Sequence, residues 1–73
     1  MRHYRIRIAV STTGICAIGQ YGVKRLGKVA DSELVYGSQL PHRVAAKDSR
    51  GKWRITTPTH ARKMGWKSIR KVW

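Results

Sequence analysis

The chain has 73 residues and sets sixteen Lys and Arg against Asp31, Glu33 and Asp48, a formal charge of +13 with a pI near 11.3. A chain this short makes one domain with a thin core, burying roughly 60% of its unfolded surface. Cys16 is the only cysteine and His3, His42 and His60 lack metal-ligand spacing, which excludes an intramolecular disulfide and a thiolate zinc knuckle and leaves no metal or cofactor expected.

The charge favours an acidic partner: nucleic acid, ribosomal RNA or an acidic protein groove. A membrane is not expected. The longest uncharged run, Ile8 to Val23, is interrupted by Ser11, Thr12, Thr13 and glycines, so it reads as neither a transmembrane helix nor a signal-peptide core.

In Tyr4 to Val10 the residues Tyr4, Ile6, Ile8 and Val10 alternate with Arg5 and Arg7, the period of a half-buried strand with an apolar floor and a basic outer face. Ser11-Thr12-Thr13-Gly14 is a turn cluster and Ile15 to Ile18 a second extended run, so Tyr4 to Ile18 is predicted to be a β-hairpin. Gly19 and Gly22 then mark the end of that strand or a bulge in it. Val23 to Val29 reads either as a short helix, with Val23, Leu26 and Val29 on one face, or as a basic loop; in both readings Lys24, Arg25 and Lys28 cluster without a local acid.

Asp31-Ser32-Glu33 has the form of a helix start, with Gly37 as its stop and Leu34 and Val35 buried. Its acids are expected to cap the helix and balance cations rather than form a catalytic carboxylate pair. Leu40-Pro41 breaks the chain. Arg43 to Lys47 and Lys52 to Thr57 form a second predicted hairpin around Asp48-Ser49-Arg50-Gly51, with Val44, Trp53 and Ile55 apolar and Arg43, Lys47, Arg50, Lys52 and Arg54 as a basic ribbon. Trp53 reads as a core residue before a base-stacking platform. After Pro58, Thr59 caps a predicted helix whose narrow face is Ala61, Met64, Gly65, Ser68, Ile69 and Val72, with Arg62, Lys63, Lys67, Arg70 and Lys71 over the remainder. Trp66 lies off that stripe, and the alternative is a frayed tail that orders on a partner.

The expected fold class is therefore α+β: a small single domain with an N-terminal β-hairpin, a short central helix, a second hairpin and a basic C-terminal helix or tail. Residues 1–58 form the compact part and 59–73 the helix or flexible tail.

No catalytic residue is expected. Cys16 lies in an apolar strand where an inert buried thiol is the plain expectation. Gly19-Gln20-Tyr21-Gly22-Val23-Lys24 lacks both the spacing and the Lys-Ser/Thr ending of a phosphate loop.

Two resemblances sharpen the binding reading. Gly37 to Val44, followed by Gly51-Lys52-Trp53-Arg54-Ile55, resembles the helix-end, Leu-Pro and wing pattern of excisionase-type winged-helix DNA-binding proteins, although the preceding Ala30 to Tyr36 carries acids where a recognition helix should carry arginines. Over its whole length the chain resembles the small transcription regulators that lytic Xanthomonas phages direct against host RNA polymerase. The residues concerned are the opening Met1-Arg2-His3-Tyr4-Arg5-Ile6-Arg7-Ile8, the Thr-Thr-Gly turn, the central basic and acidic stretch and the Lys/Arg/Trp-rich end.

That second resemblance implies a monomer in the host bacterial cytoplasm. Its partner would be the N-terminal part of the polymerase's largest subunit, with a Nus-type elongation factor as a further candidate. It would inhibit initiation by the host holoenzyme and promote read-through of terminators near the RNA exit channel. Arg2, Tyr4, Arg5 and Arg7 are the candidates for protein contact, Tyr4 having a core reading that takes precedence. Lys24, Arg25, Lys28, Arg50, Lys52 and Arg54 are the candidates for nascent RNA, DNA or an acidic surface. A ribosome-associated, rRNA-binding protein is the third reading of the same charge.

Overall fold

The computed structural model describes residues 4–73, so the Arg2 candidate lies outside the described residues. Its first sheet is built on β1 (Arg5–Ser11), which pairs antiparallel with β2 (Cys16–Ile18) on one side and β3 (Val29–Tyr36) on the other. The expected N-terminal hairpin is present. Its turn is organised by Ser11, a buried residue whose Oγ accepts hydrogen bonds from the backbone N–H groups of Thr13 and Ile15 at 3.2 and 3.0 Å. Gly14 completes the turn at φ +88°.

The glycines after β2 start a helix rather than a bulge. α1 (Gly19–Lys24) packs on β1 and β2, with Gly22 close to Ala17, the cross-strand partner of Ala9. That cover explains why Ala9, on the face opposite Ile8 and Val10, is as fully buried as they are. The helix ends at Lys24, so Arg25 to Lys28 take the loop form of the two alternatives for that segment.

Asp31-Ser32-Glu33 does not begin a helix; it lies in the middle of β3. Directly paired residues share a face, and Ile6, Ile8 and Val10 stand opposite Val35, Glu33 and Asp31. Two carboxylates thus lie on the inward side of a strand, which local sequence patterning disfavours. Tertiary partners make it possible: Asp31 accepts the backbone N–H of Ile55 at 2.7 Å, and Glu33 accepts Arg43 Nε at 3.0 Å. Val35 is buried as expected, but Leu34 points to the other face and is 47% exposed. The short helices of this α+β domain are instead α1, a 3-10 turn over Gly37–His42 that contains Pro41, and α2 (Pro58–Met64).

The second sheet has β4 (Val44–Lys47) at its centre, flanked by β5 (Trp53–Thr56) and β6 (Lys67–Lys71). The β4–β5 hairpin is the predicted one. The C-terminal segment departs from its prediction in two ways. Thr57, not Thr59, caps α2, its Oγ1 accepting from His60 N at 3.2 Å. Gly65, in the left-handed conformation at φ +74°, then stops the helix, and the chain returns as β6 along the open side of β4. Residues 59–73 are therefore not one helix or a tail apart from residues 1–58, because β6 completes the sheet and Val72 joins the core.

Ile8, Val10 and Val35 from the first sheet meet Ala45, Trp53 and Ile55 from the second, together with Val72. Two polar seams tie the sheets together. Asp31 joins β3 to β5, and Arg70 of β6 donates to the Gly14 carbonyl at 3.2 Å, reaching the tip of the first hairpin.

Candidate functional site

The three acids of the chain are all engaged internally. Asp31 and Glu33 hold β5 and Arg43. Asp48 closes the second hairpin: its Oδ1 accepts the backbone N–H groups of Arg50 and Lys52, both at 2.9 Å, and its Oδ2 accepts Arg54 Nε at 3.1 Å. The Lys52 amide, followed by the Arg54 side chain and the Arg50 amide, holds the Asp48 carboxyl below its ordinary 3.8, with burial working against them. Among the described residues the ion pairs are Arg43–Glu33 and Arg54–Asp48, so the outward-facing cations have no carboxylate of their own. Arg54 differs from the other candidates in pairing with Asp48, while its side chain remains about half exposed.

The remaining candidates are not brought into one patch. Arg5 and Arg7 stand opposite Tyr36 and Leu34 on the outer face of the first sheet, at the end away from the hairpin turn. The Arg5 guanidinium lies 5.6 Å from the centre of the Tyr36 ring. Tyr36 is 41% exposed, so two arginines and two large apolar side chains share a surface that α1 leaves uncovered. β2 pairs only with Ile8 to Val10, so the Arg5–Arg7 half of β1 has a strand on one side only among the described residues. Tyr4, whose core reading took precedence, is half exposed; its ring lies where a side chain on Gly37 would otherwise sit.

Lys28 is fixed at the other end of the sheet, where its carbonyl accepts the Thr12 amide at 3.2 Å. Trp53, next to the β4–β5 turn, packs directly against Gly14 in the β1–β2 turn, so both hairpin tips lie at this same end. Lys24, Arg25 and Lys28 thus belong with the first tip, and Arg50 and Lys52 with the second; all five are exposed. Both ends mix cations with apolar surface: Leu34 and Tyr36 adjoin Arg5 and Arg7, while Ile15 and Val29 are exposed beside the cations near the first hairpin tip.

Trp53 is only 3% exposed and cannot stack on a base without unfolding. Its ring is flanked by Arg70 at 5.2 Å and Lys47 at 5.7 Å. Burial pushes the half-buried Cys16 thiol up, Arg70 opposing in part, which keeps it in the inert protonated form at neutral pH.

Sequence reasoning left Leu34, Tyr36, Lys67 and Arg70 out of the candidate site residues. The signal for the first two was the alternation Ser32, Leu34, Tyr36, which the helix-like Asp-Ser-Glu obscured. For Lys67 and Arg70, helical spacing with Ala61 masked a strand.

The winged-helix alternative loses its central element, because the stretch before Gly37 is a strand paired along β1 and offers no recognition helix. Among the described residues no cluster of His, Cys, Asp and Glu has the makings of a metal site, and no helix is long and apolar enough to cross a membrane. Comparison with protein-family models, with curated proteins and with solved structures gave no match.

Proposed function

We propose that the protein is a non-catalytic phage regulator that docks on host RNA polymerase and changes initiation and termination. The observation that carries this reading is the surface on which Arg5 and Arg7 adjoin exposed Leu34 and Tyr36 beside the half-open edge of β1. Phosphate calls for cations alone, whereas an interface with an acidic protein surface also buries aromatic and aliphatic side chains. The open strand edge adds backbone donors and acceptors for a partner strand. The resemblance to polymerase-directed phage regulators supplies the identity of that partner: the N-terminal part of the largest subunit, near the RNA exit channel. Docked there, a basic wedge narrows the channel and opposes formation of a terminator hairpin by volume alone, with no bond made or broken.

The test is retention of polymerase from nuclease-treated bacterial lysate by the tagged protein and by its R5E/R7E variant, followed by transcription on a template carrying a promoter and a terminator. The wild type retains polymerase, lowers promoter-dependent product and raises read-through; R5E/R7E loses retention by about tenfold or more, the scale of two interfacial charges reversed. Undiminished retention by R5E/R7E removes the docking face. Recovery of ribosomal proteins in place of polymerase subunits replaces this reading with the ribosomal one.

A further inference from the structure

At the end that holds the hairpin tips, the β4–β5 turn and the α2–β6 turn flank a cleft of about 490 Å³ lined by Lys47, Asp48, Ser49, Gly51, Gly65, Lys67 and Ser68. From these features we propose that the cleft binds the phosphodiester backbone of single-stranded nucleic acid, a site separate from the Arg5/Arg7 face and independent of the polymerase reading.

Three observations converge. First, Lys47 and Lys67 are direct cross-strand partners in β4 and β6. Like charges placed opposite one another destabilise a sheet, and here no carboxylate offsets them. Asp48 is the acid within reach, but its oxygens are already occupied by two backbone amides and Arg54. A phosphate between the two ammonium groups would turn the repulsion into attraction on both sides.

Second, Ser68 holds a φ of +58°, the one positive value at a non-glycine position among the described residues. Such a conformation is disfavoured for a residue with a Cβ and persists where the surroundings impose it. It coincides with the register shift between Ala45 and Lys47 in the β4–β6 pairing, beside the cleft. Ser49 of the β4–β5 turn and Ser68 of β6 both line the cleft, and Gly51 and Gly65 carry the flanking turns with no side chain to close the mouth.

Third, the shape discriminates among polyanions. A recess between two turns admits the flexible backbone of a single strand, whereas duplex phosphates lie on a stiff convex surface. Trp53 is buried beneath Lys47 and Arg70, and Trp66 in the α2–β6 turn is partly buried with its ring edge-on to His60, so neither ring lines the cleft. Binding is therefore through phosphate, indifferent to sequence and steeply dependent on salt. Arg50 and Lys52, exposed on the adjoining turn, extend the cationic track along the strand.

The test is fluorescence anisotropy with labelled oligouridylate, the matching oligothymidylate and a DNA duplex of equal length, over a salt series. The variants are K47Q/K67Q and, as a control of equal charge change on exposed α2, R62Q/K63Q. Both single strands bind the wild type more tightly than the duplex does. K47Q/K67Q weakens single-strand binding by about tenfold, and its log–log salt slope falls by about 1.4, or 0.7 for each phosphate no longer neutralised, while the control changes by less than about threefold. K67Q alone, at an exposed edge position, gives a slope change of about half that size and guards against a folding defect in the double variant. Equal losses in K47Q/K67Q and the control, or a duplex bound as tightly as the single strands, overturn the site. Retention of polymerase from nuclease-treated lysate by K47Q/K67Q stays at the wild-type level, which separates this test from that of the docking face.

Discussion

Gly14 shows how a single residue carries the tertiary structure. Its φ of +88° suits the hairpin turn, and a Cβ at that position would overlap the Trp53 indole. Its carbonyl takes the Arg70 hydrogen bond that ties β6 to the hairpin tip. G14A therefore combines left-handed strain with overpacking against a core aromatic and is expected to cost about 2–4 kcal/mol, a large share of the stability of a domain this size. Thermal unfolding checks this, since each kcal/mol moves the midpoint by about 4–8 °C in a domain of this length; a midpoint within a degree or two of wild type would show that the turn and Trp53 move apart freely. The turn role of Gly14 and the core role of Trp53 were both readable from the sequence. Their contact, which sets the two hairpin tips side by side, was not, because it joins residues 39 positions apart.

At the scale of elements, caps and turns decide where the chain changes direction. Thr57 and Thr59 flank Pro58, and only the structure selects Thr57 as the cap of α2, leaving Thr59 in its first turn. T57A is expected to lose about 1 kcal/mol and T59A a few tenths at most, a contrast that urea unfolding of the two variants resolves. The β4–β5 turn depends on Asp48, whose folded-state carboxyl titrates below its ordinary value of 3.8. A depressed acid contributes stability that is fully present above the unfolded value and is lost as pH falls through the folded one. Melting midpoints taken from about pH 5 down to about pH 2 should fall more steeply for wild type than for D48N, which has already lost the contribution at the higher pH. Parallel curves for the two proteins would mean that the Asp48 hydrogen bonds do not persist in solution. The strand β3 was the element least legible in advance: an Asp-Ser-Glu run resembles a helix start, and its two inward acids make sense only once Ile55 and Arg43 are placed beside them.

For the whole molecule, the governing feature is the separation of the two charged ends. The acids are consumed within the fold, so the net charge is carried almost entirely by surface cations, some set among Leu34 and Tyr36 and others gathered at the hairpin tips. Because the two ends share no side-chain partner, substitutions at them are expected to act independently. In a double-mutant cycle combining R5E/R7E with K47Q/K67Q, free-energy changes in oligonucleotide binding should add to within about 0.5 kcal/mol. A larger coupling would mean that one continuous surface serves both partners.

The sequence by itself determined the charge, the N-terminal hairpin, the second hairpin and several core residues, among them Ile8, Val10, Val35, Trp53 and Ile55. These depend on period-2 alternation and turn chemistry within about a dozen residues, and short-range sterics enforce them wherever the chain goes. Only the tertiary structure decided that β3 is a strand, that β6 is neither helix nor tail, and which cations remain unpaired. Each of these was settled by a partner outside the segment: β1 offered β3 an edge, β4 offered β6 another, and Asp31 and Glu33 found their donors in Ile55 and Arg43, while Asp48 took its own from the adjoining hairpin. A local pattern states what a segment can become, and the free edges and buried amides of its neighbours fix which possibility is realised.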